Sequence, residues 1–219
     1  MADYLVRKAS APVFLNASFE DDPQWKNAEL LRVDHLLDAE KKDFISKVSL
    51  KLLYDDANIY GLFQVEDRYV RAVRSGFQQD VCRDSCVEFF IRPKDNVRYY
   101  NFEFSANGAM LLYNVTDLRG GIYEPVALED CASVERWHSL PDRVDPEITE
   151  PLTWRLGFRI PLAFFVKYAS IDPRLSGQVW TGNASKCCDE TSHPHWLSWA
   201  PLSRCDFHTP SEFGSIRFE

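Results

Sequence analysis

The chain has 219 residues, 45% of them apolar and 14% aromatic, enough for a sizeable core within one large domain spanning residues 1–219. Its net charge of −8 excludes the basic field that a nucleic-acid partner requires, and no polybasic helix points to a membrane surface. Apolar runs such as Val87–Ile91, broken by Glu88, are too short to cross a bilayer.

The opening MADYLVRKAS lacks the apolar core of a secretory leader. The expected location is cytoplasmic as numbered, or periplasmic or secreted if a leader has been removed. Six cysteines (Cys82, Cys86, Cys131, Cys187, Cys188 and Cys205) are too sparse for a disulfide framework and read as thiols.

In chain order, SKVSLKLLYDD alternates Val48, Leu50, Leu52 and Tyr54 with Ser49, Lys51 and Leu53, the period of a half-buried strand. Asp55–Asn58 is a turn, and IYGLFQVED follows as the hairpin partner. SCVEFFIRP is the next strand. In RYYNFEFSANG, Tyr100, Phe102 and Phe104 share one face while Tyr99, Asn101, Glu103 and Ser105 share the other. The Asn107-Gly108 turn leads into AMLLYNV. Thr116–Cys131 reads as a loop, and CASVERWHSL and LTWRLGFRIPL as strands. In the latter, Trp154, Leu156, Phe158 and Ile160 oppose Arg155, Gly157 and Arg159. Ala163–Tyr168 makes one or two helical turns, and QVWTGNASK and FGSIRFE close the chain. Eight to eleven short strands between turn signals predict an all-β, antiparallel β-sandwich of immunoglobulin-like or jelly-roll type, with one or two short helices.

Chemistry-bearing residues concentrate in KCCDETSHPHWLSWAPL, from Lys186 to Leu202. Cys187, Cys188, Asp189, His193 and His195 are all metal-capable. Adjacent strand cysteines, however, project to opposite faces and do not share one tetrahedral ion, so no residue is assigned as a metal ligand. Neither a nucleophile elbow nor a cysteine-protease signature is present. Haem would need an axial pair such as Met110 with His138, His193, His195 or His208, and Met110, just after a turn, reads as core. Trp196 and Trp199 remain, flanking Leu197-Ser198. An indole suits the apolar C–H face of a sugar, whose hydroxyls call for charged or amide groups, and Glu88 and Asn183 are available for that.

VSLKLLYDDANIYGLFQVED, DSCVEFFIRP, YYNFEFSANG, LTWRLGFRIPL and LSWAPL followed by HTPSEFGSIRFE, in that order, resemble the strand blocks of family 9 carbohydrate-binding modules. That family lies within a wider group of sandwich domains (DOMON-like) that also holds haem-binding relatives. The resemblance covers about residues 45–219. It implies non-catalytic binding of an oligosaccharide or polysaccharide end, in a slot between two tryptophans beside a Glu, an Arg and an Asn. Trp199 matches one of the tryptophans, Glu88 the Glu and Asn183 the Asn. The second tryptophan would fall near Val81-Cys82, where no aromatic stands; Phe77, Tyr69 or Trp196 are the candidates to replace it. The family's Arg is Glu103 here, and Arg155 or Arg159 are the positive groups that would compensate. No cofactor is expected beyond the structural calcium the family commonly carries, for which Asp55, Asp56, Asp67 and Asp84 offer oxygen ligands. The alternatives are a glycan hydrolase using carboxylates on the same polar face, and an interaction domain with no small ligand.

Overall fold

The computed structural model describes residues 2–37, 43–93 and 96–219. Eleven principal strands are β1 (Asp3–Lys8), β2 (Lys47–Tyr54), β3 (Asn58–Asp67), β4 (Cys86–Arg92), β5 (Tyr99–Ser105), β6 (Tyr113–Asp117), β7 (Ile122–Pro125), β8 (Glu135–His138), β9 (Leu152–Pro161), β10 (Val179–Cys187) and β11 (Gly214–Phe218). Three short helices are α1 (Pro23–Asn27), α2 (Leu128–Ser133) and α3 (Leu162–Ala169). Two-to-five-residue strands, Met110–Leu111 and Leu197–Ser198 among them, fill the gaps.

The strands form a sandwich. One sheet runs β7-β6-β5-β4-β10-β11-β1 and the other β1-β2-β3-β9-β8. β1 belongs to both: Asp3–Val6 pair with β11, while Arg7 and Lys8 pair with β2. Both pairings are parallel, so the sheets are mixed rather than purely antiparallel. The reason is topological, since the N-terminal strand lies beside the C-terminal one and not beside a hairpin neighbour.

Period-two alternation explains what lies between the sheets. Val87, Phe89 and Ile91 of β4, Tyr100, Phe102 and Phe104 of β5, and Trp154, Leu156, Phe158 and Ile160 of β9 all point inward and are buried. Phe158 is the centre of a stacked trio, with Phe89 at 5.5 Å and Phe104 at 5.2 Å between centroids. Gly61 lies opposite Phe158 in the β3–β9 register, and a Cβ there would come within 2.1 Å of the ring. Glycine is the residue that lets this ring lie down. In α3, Phe164 and Phe165 cap the core edge-on to Tyr100 and Phe102, and Ser170 ends the helix with a left-handed φ of 52°.

Two local expectations change. β2 is buried on both faces, because residues 9–30 wrap its outer side: Leu53 packs with Leu15, Phe19 and Trp25, and the Lys51 ammonium donates to the Phe19 carbonyl at 2.7 Å. The stretch expected to be loop at Thr116–Cys131 contains β7 and the start of α2. Met110 is fully buried in the core, as its position after the Asn107-Gly108 turn implies.

Candidate functional site

The side chains that alternate outward from the first sheet create a second, polar environment. Register places Glu88 of β4 directly opposite Glu103 of β5 on one side and Ser185 of β10 on the other. One step along, Cys86 lies opposite Cys187 and Ser105. Two carboxylates thus sit side by side on a sheet face that is covered rather than solvated: Glu88 is 2% exposed and Glu103 6%.

Above them lies a cavity of about 600 Å³. Its floor is Glu88, Glu103 and Cys187, and its walls include Trp196, Tyr113 and Tyr123. The two tyrosine rings stack at 4.9 Å and 28°. Trp196 is half-buried, its indole N–H donating to Asp189 Oδ1 at 2.9 Å, which fixes the plane of the ring. Arg119 forks onto Asp206 through Nε (3.1 Å) and Nη2 (2.7 Å). His208 Nδ1 lies 2.8 Å from the Tyr99 hydroxyl.

Burial, and next to it the neighbouring Glu103, holds the Glu88 carboxyl well above the usual carboxylate range. Burial pushes Glu103 up to about 7, although the amide of Asn101 donates to its Oε1 at 2.8 Å. Glu88 Oε1 accepts only the Cys187 thiol, at 3.1 Å, and its Oε2 has no protein partner; nor has the neighbouring Ser185 hydroxyl. A buried carboxylate this poor in donors is costly unless something else satisfies it. The cavity floor therefore carries polar groups whose hydrogen bonding the protein leaves incomplete.

The residues singled out in the sequence divide accordingly. Glu88, Glu103 and Trp196 come together in this cavity. Trp199 does not line it: its ring stands edge-on to Tyr4 at 6.4 Å and covers Gly214, whose added Cβ would lie 2.6 Å from the indole. The cause is parity. Leu197–Ser198 is extended, with Ser198 beside Ser185 and Leu197 beside Lys186, so residues 196 and 199 fall on opposite faces. Asn183 shares the outer face of β10, but its amide is spent on the chain after Ser198. Oδ1 accepts from the Ala184 and Ala200 N–H groups, and Nδ2 donates to the Ala200 carbonyl. Arg155 belongs to the other sheet, donating to the Ala17 carbonyl at 3.0 Å with its guanidinium over Trp137. Arg159 pairs with Glu135 there. Tyr69 stacks on His193, and Phe77 lies under Arg136.

Tyr113, Tyr123 and Arg119 escaped the sequence reading. Tyr113 had a signal, as the only aromatic in AMLLYNV. The other two lie in the stretch taken for loop.

The four acids suggested for calcium do not form one cage. Asp55 accepts from the Ala57 and Asn58 N–H groups and the Tyr60 hydroxyl, and Asp56 pairs with Lys8. Asp84 is surrounded by the Val73 and Arg74 N–H groups, the Ser105 hydroxyl and the Arg74 guanidinium. Asp67 accepts from Ser46, Arg68 and Trp154. Each acid is engaged by donors of its own, and among the described residues none of the four converges with two other metal-capable side chains.

A larger hollow of about 810 Å³ lies on the second sheet, against Trp137, Tyr60 and Phe14. Its two acids, Asp55 and Glu135, are already committed to the turn and to Arg159. It therefore presents less unmet chemistry than the Glu88 cavity.

No curated protein matches the chain. A crystal structure of a candidate carbohydrate-binding protein from Bacteroides uniformis is similar, at 30% identity and a TM-score of 0.86, covering 100% of this chain and 99% of that one. Two structures of a family 9 carbohydrate-binding module from Caldicellulosiruptor kristjanssonii share the fold. The one with glucose has 14% identity and a TM-score of 0.63, covering 98% of this chain and 95% of that one. The one with cellotriose has 15% identity and a TM-score of 0.62, covering 98% and 93%. The profile of carbohydrate-binding family 9 matches residues 23–218, and the chain belongs to that family.

Proposed function

We propose that the protein binds carbohydrate without cleaving it, in the cavity above Glu88 and Glu103. The observation that carries this reading is the pairing of unmet polar groups with aromatic walls. Glu88 Oε2 is buried and without a protein partner at the foot of a cavity walled by Trp196 and the Tyr113–Tyr123 stack. A pyranose offers complementary chemistry, with hydroxyl donors at its edge and a C–H face for an indole. About 600 Å³ is within the usual range for small-ligand sites. The stacking role goes to Trp196, and Glu88 and Glu103 hydrogen-bond the sugar hydroxyls. The fold neighbours seen with glucose and cellotriose make glucosyl sugars the first ligands to try.

Calorimetric and fluorescence titration with glucose, cellotriose and a wider glycan panel tests the reading. Saturable binding without product is expected, weakened about tenfold or more by Trp196→Ala, since losing an aromatic contact costs on the order of 1.5 kcal/mol. Trp199→Ala, changed outside the cavity, should leave affinity within about threefold. No saturable binding by any glycan, or equal losses in the two variants, overturns it. Turnover of glycosides would favour the hydrolase alternative instead.

A further inference from the structure

We propose that Cys86, Cys187 and Glu88 form a binding site for one thiophilic divalent cation of the zinc class, in the floor of the cavity. Two thiol sulfurs and one carboxylate oxygen lie within 4.8 Å of one another, all three side chains buried. Among the described residues no other group of three metal-capable side chains converges so closely. The residues come from neighbouring strands in register. Cys86 lies opposite Cys187, and Glu88 is two positions along β4 on the same face. Rigid, hydrogen-bonded sheet therefore sets the three ligand directions.

The separations suit the ion. Zinc–sulfur bonds of about 2.3 Å and zinc–oxygen bonds of about 2.0–2.2 Å put tetrahedral ligand atoms roughly 3.5–3.8 Å apart. The Cys187 Sγ–Glu88 Oε1 distance is 3.1 Å, so small side-chain shifts admit a cation between them. The second indication is the state of Glu88. It is buried, with a single thiol donor to one oxygen and none to the other. No Lys or Arg pairs with it among the described residues; Arg119 is spent on Asp206, and Lys186 of the same sheet points inward to Asp67. A bound cation gives the poorly partnered carboxyl the contact it lacks. Two of the three donors are soft thiolate sulfurs, and they select zinc over calcium or magnesium even beside one hard carboxylate oxygen.

Binding is an exchange. The metal enters, and the thiol protons of Cys86 and Cys187, with the carboxyl proton of Glu88 where it is held, leave to solvent. Glu88 and Cys187 line the cavity, which gives water or a ligand oxygen access to an ion held there. The metal site does not depend on the sugar reading.

The test uses the full chain, stripped with a chelator, kept under a non-thiol reductant and titrated with Co²⁺. One equivalent should produce a thiolate-to-cobalt charge-transfer band in the near ultraviolet, bleached by one equivalent of Zn²⁺. Zinc should also raise the melting temperature. The band should fall to about half or less in Cys86→Ser and in Cys187→Ser, vanish in the double variant, and stay at full strength in Cys205→Ser and Cys82→Ser. Circular dichroism checks that each variant folds, and Glu88→Gln, which keeps both thiols, should retain a shifted band with weaker binding. No band in the wild-type chain, a band undiminished by Cys187→Ser in a folded protein, or no zinc-dependent rise in melting temperature overturns the proposal. Glycan titration of the chelated protein is scored separately, so either reading can fail alone.

Discussion

Replacing Asp67 by alanine tests how the strand that carries the cavity floor is anchored. β10 sends Ser185 and Cys187 outward but Lys186 inward, where its Nζ lies 3.8 Å from Asp67 Oδ2 with both side chains 1% exposed. Asp67 also accepts from the Ser46 hydroxyl at 2.6 Å, the Trp154 indole at 2.9 Å and the Arg68 N–H at 2.9 Å. Although burial works against both charges, Lys186 holds Asp67 below the usual carboxylate range, and Asp67 holds Lys186 above the usual amine range. Removing one partner of such a pair leaves an uncompensated buried charge, which costs about 3–5 kcal/mol. At about 2–4 °C per kcal/mol for a chain of this size, Asp67→Ala should lower the melting temperature by roughly 6–20 °C. Lys186→Met should cost less, because Asp67 keeps its three neutral donors and the methionine fills the space. The double variant should recover part of the loss, with a coupling energy of at least about 1 kcal/mol. Urea unfolding followed by tryptophan fluorescence gives each value. A loss below about 1 kcal/mol for Asp67→Ala, or a coupling energy of zero, would refute the reasoning.

His208 supplies a pH-dependent prediction. Burial, assisted by Arg119, brings its imidazole down to about 4, below its unfolded value of 6.5. Its contribution is therefore present above pH 6.5 and is lost as pH falls towards 4, a change of about 3 kcal/mol. Denaturant unfolding at pH 7 and 4.5 should show a shallower acid loss in His208→Gln than in the wild type; identical slopes would contradict this. Gly61→Ala should destabilise by about 1–3 kcal/mol, because the new methyl must displace the Phe158 ring from its stack. An unchanged melting temperature would mean that the ring has room that the packing does not show.

Strand faces were legible because alternation is local. The split of β5 into Phe102 and Phe104 against Asn101 and Glu103 stands in the sequence as it stands in the sheet. What covers the outer face was not legible. Lys51 reads as a solvated residue, yet it is 7% exposed because residues 9–30, which carry no alternating pattern, fold across β2. Tyr123 and Arg119 lie in a stretch rich in turn residues, where nothing local marks a wall of a site. The register that sets Glu88 beside Glu103 is a property of strand pairing, and a single strand's pattern carries no information about its neighbour's offset.

The same limit applies to the two chemical questions the 186–202 segment raises, and it cuts in opposite directions. For the tryptophans, spacing of three on an extended chain already forbids a shared face, so alternation alone favours Trp196 once Ser198 is known to pair with Ser185. For the cysteines, alternation correctly separates Cys187 from Cys188, and on that ground a metal site made from the local segment fails. Yet Cys187 is not left alone, because β4 brings Cys86 and Glu88 to it from a hundred residues earlier in the chain. A metal-ligand spacing is a signal only when the ligands come from one loop or helix. When they come from paired strands, the relevant spacing is across the sheet, at about 5 Å between neighbours, and it becomes visible only after register is fixed.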